Sequence, residues 1–433
     1  MSKTKNFWIT NAVFVTMDEK RTVRSGSLFI EDGVITQWLD KLPKGLTIKS
    51  KNVIDADGTF ILPGFIQTHV HLCQTLFRNH ADDLELLDWL KEKIWPLESS
   101  HTAKSLRLSA EIGVQELLSS GTTCILDMAT VRHTEAVLEV IEESGIRASV
   151  GKCLMDRAET SPKGLIEETA KAIAEAIRIH KKWNGRAGGR IRISYAPRFA
   201  ISCTDELLKR VAEIARDQDA LIHTHASENR GELQMVKQLT GLDNISYLDK
   251  VGVTKAPLVL AHCVWVDESQ KKILCDRNVA VSHCPTSNLK LASGIAEIPK
   301  LRKMGITVSL GADGAACNNS LNMFQEMKLA ALIQKPIHGP TAMPAHECLA
   351  MATIEGAKSL KWDKEIGSIE IGKRADLISL DLNTVENAVV GVIGKSLPTF
   401  ESIASSVVYA SGREHVMWTM VDGKMVYTKR NTL

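Results

Sequence analysis

Two textures of apolar patterning divide the chain. Up to about residue 60, short β-branched runs ("FWITNAVFVTMD", "GSLFIEDGVITQWL", "KNVIDADGTFIL") are broken by Asn and Asp-Gly signals, the pattern of hairpins. From about residue 366 the same texture returns. "ADLISLDL", "SIASSVVYA" and "HVMWTMVDGKMVY" read as strands, with "VDGK" as a tight turn. In between, short apolar segments alternate with longer stretches of helical periodicity. The strand candidates are "CILDMA", "RASVGKCL", "RIRISYAP", "ALIHTHAS", "PLVLAHCV", "VAVSHCP" and "TVSLGAD". The helix candidates include "KSLRLSAEIGVQELLSS", "TEAVLEVIEES", "GLIEETAKAIAEAIRIHKKW" and "TDELLKRVAEIARD". With "TFILPGFIQTHVH" as the first, eight strands are expected, most of them followed by a helix.

Eight such units predict a (β/α)8 TIM barrel rather than an open doubly wound sheet. No G-x-G-x-x-G follows the first strand, which argues against a dinucleotide fold. The two β-rich ends are expected to pair into one small β-sandwich beside the barrel. The expected spans are 1–62 and 366–433 for the sandwich and 63–365 for the barrel.

In a barrel the chemistry sits at the C-terminal ends of the strands. Here the first strand ends in His69-Val70-His71, and the fifth in "HTHASE", His223 to Glu228. The sixth ends in His262 and the eighth in Asp313. Side chains alternate along a strand, so His69 and His71 face the barrel interior and Val70 faces the helices. Two imidazoles on one inner wall can grip a single ion. A third histidine from strand five and the Asp313 carboxylate complete a His/His/His/Asp set. Zinc is the default metal for these ligands, and ferrous iron suits them too. A histidine at a strand end is also an ordinary hydrogen-bonded core residue, and His223 and His283 fit that simpler reading. The weight lies in the joint pattern, in order, at successive strand ends.

Composition changes this picture little. The 433 residues carry a formal charge of +2, 44% hydrophobic and 24% charged residues, and no basic or acidic block. Neither a nucleic-acid nor a membrane-surface partner is expected. "MSKTKNFWIT" has no apolar h-region, so no signal peptide is expected. Nine scattered cysteines without a C-x-x-C pair point to reduced thiols and a cytoplasmic location.

The chain resembles the amidohydrolase superfamily, in its aminohydrolase branch with one metal ion. That branch holds 5′-deoxyadenosine, methylthioadenosine and S-adenosylhomocysteine deaminases, guanine deaminases and s-triazine hydrolases. The motifs that carry the likeness are "LPGFIQTHVHLCQTLFR", "DDLELLDWLKEKIWPLE", "HTHASE", "LAHCVW", "SHCPTSNLKLASGIAEIP", "LGADGAACNN", "ATIEGAKSL" and "IGSIEIGKRADLISLD". The resemblance implies one Zn2+ per subunit on His69, His71, His225 and Asp313. It selects His225 over His223, because the family's ligand lies three residues before the acid. It also implies a homo-oligomer, as barrel enzymes of this kind commonly form dimers or tetramers.

The implied reaction is hydrolytic deamination of a cyclic amidine. Asp313 accepts the proton of the attacking water, Glu228 protonates the ring nitrogen and then helps the amine leave, and His262 holds the attacking oxygen. Glu228 also reads as a helix-N-terminal glutamate stabilised by the dipole. A pseudoenzyme of this fold would have lost one of these groups, and all are present. Trp89 and Glu98 are implied to pack against the substrate and to accept the two ribose hydroxyls. Without the family context they read as core packing beside Leu86, Leu87 and Leu90, and as a solvated helix end. One departure stands out. Where nucleoside deaminases of the branch often have Pro-His after strand four, this chain has Arg198, as in the Pro-Arg-Phe of guanine deaminases. Arg is an obligate donor, compatible with adenine acceptors and with a ring carbonyl. Lys152, Arg157 and Arg132 could meet a homocysteine tail, but "KCLMDRAETSPKG" does not match the tail-binding pattern. The expected substrate is an adenine nucleoside modified at the 5′ position, with a small substituent favoured. The alternatives are guanine, another oxopurine, a pterin or an s-triazine.

Overall fold

A computed structural model describes residues 6–387 and 397–429. The lysine-bearing start of "MSKTKNFWIT" and the outermost ends of the expected sandwich spans lie outside these residues. Eight parallel strands form the barrel, in chain order. They are Phe65–His71, Thr122–Met128, Arg147–Leu154, Ile191–Pro197, Ile222–Ala226, Leu258–His262, Ala280–His283, and an eighth in two pieces, Val308–Leu310 and Asp313–Gly314. The first piece pairs with strand seven and the second with strand one, Asp313 opposite Val70. The break between them closes the ring. Gly311 sits at it because a side chain there would lie 2.7 Å from the His69 carbonyl and 2.9 Å from its Cβ. The strands are buried along their length, as befits a sheet covered on the outside by helices and filled within.

The helices form where the periodicity places them, and their caps set their starts. Thr102 caps Ala103–Ser119 through Ser105, and Thr204 caps Asp205–Asp217 through Leu207. Asp205–Asp217 buries Leu207, Leu208, Val211, Ala212, Ile214 and Ala215, one apolar stripe. The segment expected to be helical from Gly164 starts only at Thr169. Glu168 turns its carboxylate onto the Ala170 and Lys171 N–H groups and becomes the cap, while Glu167 leaves the helix path to pair with Lys152.

Among the described residues, the chain ends build one eight-stranded mixed sheet. Phe60–Pro63 lies between Phe7–Val15 and Leu377–Leu380, and the latter pairs on with Val416–Val421. The sheet curls over a shared core of Phe14, Leu28, Ile30, Ile61, Leu377 and Met420. Its far turns meet, since a side chain at Gly33 would strike the Asp422 carbonyl at 2.6 Å. One expectation fails here. "SIASSVVYA" is not a strand but the helix Phe400–Ser405 with a π-helical continuation, Ser406–Ala410. Thr399 caps it, and Ile403, Val407 and Val408 pack onto the helices Met323–His338 and Ala345–Met351. A short Ser/Val run carries both periodicities, and tertiary packing decided between them.

Candidate active site

The strand ends converge on one centre. His69, His71, His225 and Asp313 bring their nearest ligand atoms within 4.8 Å of one another. Asp313 Oδ1 lies 3.1 Å from His69 Nε2 and 3.4 Å from His71 Nε2, and His71 Nε2 lies 3.1 Å from His225 Nε2. Val70 is turned outward into the cluster with Leu106 and Ala110 of the first long helix. Asp313 has φ 63° and His262 φ 74°, left-handed backbone at non-glycine residues. Such strain persists where the surroundings hold a side chain in place, and here both side chains are re-aimed at the centre.

Each imidazole is held from behind. His71 Nδ1 donates to the Met128 carbonyl at 2.9 Å, and His225 Nδ1 to the Arg198 carbonyl at 2.7 Å. His69 Nδ1 lies 2.7 Å from His223 Nε2. His262 Nδ1 donates to Asn288 Oδ1 at 2.8 Å. In every case Nε2 is left facing the centre. His69 Nε2 is buried and faces only Asp313 Oδ1, without the geometry of a good hydrogen bond, which suits a metal-ligand atom. Burial pushes all three ligand histidines toward the neutral form, His71 to about 4, and neutral imidazole is the metal-binding form. The donor set of His69, His71, His225 and Asp313 fits a metal ion.

The residues expected to do acid–base work adjoin this set. Glu228 Oε2 lies 3.5 Å from His262 Nε2, which is 3.9 Å from Asp313 Oδ2. Burial and the neighbouring Asp313 charge drive the Glu228 carboxyl well above the usual range. Burial also presses Asp313 toward its neutral acid, but His69, His262 and His71 around it outweigh that and hold it ionised. Two carboxyls in one pocket are thus shifted in opposite directions.

A family model described as the amidohydrolase family matches residues 60–426. The chain belongs to the amidohydrolase family. A 5′-deoxyadenosine deaminase of Methanosarcina mazei is 37% identical over 424 residues, 96% of this chain and 92% of that protein. A 5-methylthioadenosine/S-adenosylhomocysteine deaminase of Moorella thermoacetica is 38% identical, covering 90% of this chain and 86% of its own. Among solved structures, an adenosine deaminase from Xanthomonas campestris with bound zinc superposes with a TM-score of 0.86 at 28% identity, over 97% of this chain and 92% of the other.

This amidohydrolase's pocket is lined by His71, Gln74, Leu86, Trp89, Arg198, Phe199, His225, Glu228 and Asp313, among others. Trp89 is buried on the helical segment 86–99, with an unpartnered Nε1. That segment runs through a π-turn at Leu90–Ile94 just before Pro96, which has no N–H to offer the preceding turn. Arg198 and Glu98, expected as separate contacts, are joined. Arg198 donates to Glu98 from Nη1 at 2.6 Å and from Nη2 at 3.2 Å, and Gln74 Nε2 adds a third bond at 3.0 Å. Burial would neutralise Glu98, but the guanidinium holds it ionised. Lys152 and Arg157 do not line the pocket. Lys152 pairs with Glu167, Arg157 donates to the Cys203 carbonyl, and Arg132 is exposed.

Sequence reasoning missed the supporting groups. Ser287 donates to Asp313 Oδ2 at 2.7 Å, and Glu232 accepts the Glu228 N–H at 2.8 Å. The four-residue spacing of Glu228 and Glu232 on a strand-to-helix turn was a usable signal. The "TSN" of "SHCPTSN" became one only once strand seven was placed beside strand eight. Asp127, on strand two, accepts the Leu72 N–H at 2.8 Å, and burial pushes its carboxyl up to about 7. Its unfolded value lies near 3.9, so its contribution to stability is complete below about pH 4 and lost as pH rises through about 7. Asp127→Asn is therefore expected to flatten the fall in unfolding temperature between pH 5 and 8, read by thermal melts across that range.

Proposed function

We propose that this amidohydrolase is a zinc-dependent hydrolytic deaminase of adenine nucleosides modified at the 5′ position, releasing ammonia and the inosine-type product. The observation that carries the reading is Glu228: a buried carboxyl pushed well above the usual carboxylate range, beside His262 and a His/His/His/Asp centre. Chloride could leave without that proton, whereas an aromatic amine cannot.

Zinc on those four ligands supplies the Lewis acidity that makes water a competent nucleophile near neutral pH. Asp313 takes one proton from the attacking water, through the Oδ2 face turned toward His262. Glu228 gives its proton to the adjacent ring nitrogen as the C–O bond forms. His262 Nε2, between the two carboxyls, holds the incoming oxygen. As the C–N bond breaks, Asp313 returns its proton to the departing amine and Glu228 recovers one from the new hydroxyl. Both carboxyls end as they began, and ammonia leaves neutral.

Trp89 offers an indole face to the base. Glu98 meets the ribose diol when Arg198, whose two N–H groups occupy both its oxygens in the free protein, turns toward the ring. The only cation lining the pocket among the described residues is Arg198, already paired, which favours an uncharged 5′ substituent such as that of 5′-deoxyadenosine or methylthioadenosine. Arg198 also supports a second reading, an oxopurine such as guanine, because a guanidinium suits a ring carbonyl.

The test is ammonia release by zinc-loaded protein on 5′-deoxyadenosine, methylthioadenosine, S-adenosylhomocysteine, adenosine, guanine and a chloro-triazine. Turnover is expected on the first two, at least tenfold weaker on S-adenosylhomocysteine, and abolished by a chelator. Ammonia from guanine alone would replace this reading with the second.

A further inference from the structure

Behind the centre, on the side away from the pocket, another carboxyl is fully buried. Glu326 stands in the first turn of the helix Met323–His338. Its Oε1 accepts from the Thr286 hydroxyl at 2.6 Å and from Asn318 Nδ2 at 2.8 Å, and its Oε2 from the Thr286 N–H at 3.3 Å. Thr286 and Asn318 belong to different segments. Thr286 opens the short helix after strand seven and directly precedes Ser287 and Asn288, whose side chains hold Asp313 Oδ2 and His262 Nδ1. Asn318 follows strand eight, and its Nδ2 also donates to the Ala312 carbonyl at 2.7 Å, next to Asp313. Strand pairing does not hold these segments together. On its other edge from strand six, strand seven pairs with Val308–Leu310, and that ladder stops before Asp313.

We propose that Glu326 is a positioning residue: by bridging Thr286 and Asn318 it fixes the separation of the two segments, so that Ser287 and Asn288 meet Asp313 and His262 at working distance. It touches neither the substrate pocket nor a ligand atom. The inference rests on the reading of the centre given above. Its hydrogen bonds do the bridging, and burial pushes the carboxyl up to about 7. A glutamine can keep both bonds to Oε1 and lose only the longest. An alanine loses all three and leaves the N–H and hydroxyl of the half-buried Thr286 without that acceptor.

The test compares Glu326→Ala, Glu326→Gln and Thr286→Val in the full-length zinc-loaded protein. The readouts are kcat, KM and the rate at which a chelator strips the zinc. For the alanine variant we expect kcat at least tenfold lower, KM within threefold, and zinc lost at least tenfold faster. The glutamine variant should stay within threefold of wild type on every count. An alanine variant within twofold of wild type in kcat and zinc release overturns the proposal. So does a glutamine variant that falls as far as alanine, because charge would then be what matters. Should the alanine variant not fold, Thr286→Val decides, since it deletes the 2.6 Å bond without opening a cavity. An intermediate loss of zinc retention supports the bridge, and wild-type retention refutes it. Zinc release needs no substrate. A wild-type protein inert toward every purine would therefore remove the deaminase reading and still leave Glu326 to be judged.

Discussion

Glu228→Gln is expected to lower kcat for nucleoside deamination by about 10²–10⁴-fold, the usual worth of a positioned acid–base group. Bound zinc, far-UV circular dichroism and unfolding temperature should hardly change. The substitution suits the site because burial and Asp313 push the native carboxyl well above the usual range, toward its neutral acid. An amide of the same shape can accept the same contacts but has no proton to give. A mere structural glutamate would tolerate it. A chloro-triazine used as substrate sharpens the comparison, because its leaving group departs without a proton. Any activity on it should drop far less than deamination does. In the wild type, deamination should fall on the alkaline side as Glu228 ionises, and the variant's residual rate should lack that limb. A variant retaining more than a third of wild-type kcat would remove Glu228 from the chemistry.

Arg147→Ala is expected to destabilise the protein by about 3–5 kcal/mol, the cost of leaving one member of a buried ion pair alone. Arg147 opens barrel strand three, and Asp376 directly precedes the Leu377–Leu380 strand of the end sheet. Both side chains are almost wholly buried, with Arg147 Nε 2.7 Å from Asp376 Oδ2 and Nη2 3.0 Å from Oδ1. Oδ1 also accepts the Asp422 N–H at 2.8 Å, so the pair joins three segments. Differential scanning calorimetry should show a midpoint lower by about 3–6 °C. The double change Arg147→Met with Asp376→Leu should recover most of it, because a buried pair replaced by apolar groups costs little. A midpoint within 1 °C of wild type for the single change would show that the pair contributes nothing.

The barrel was legible because each unit repeats one local signal, an apolar strand followed by an amphipathic helix, and because the chemistry recurs at equivalent strand ends. His69 and His71 could be placed on one wall by alternation alone. The end sheet was legible as β-rich, but not which strand pairs with which, since Phe60–Pro63 and Leu377–Leu380 share no local pattern. "SIASSVVYA" was misread because its fate depends on helices far away in sequence. The same limit hid the Arg198–Glu98 pair and the Ser287, Asn288 and Glu326 supports, each of which is a contact between loops of different strands. Residue type and spacing announce a ligand. They do not announce what stands behind it.

The shared end sheet has a consequence for biosynthesis. Thr59 and Ser379, hydrogen-bonded across it, are 320 residues apart. At about 5–20 residues per second, the ribosome delivers the second partner some tens of seconds after the first. During that interval the edge of Phe60–Pro63 and the apolar faces of Ile61 and Leu62 have no cover, although the barrel beside them can already be closing. The yield of soluble protein should therefore depend on how long a nascent-chain chaperone shields that edge, and slowing translation after the barrel should lower it.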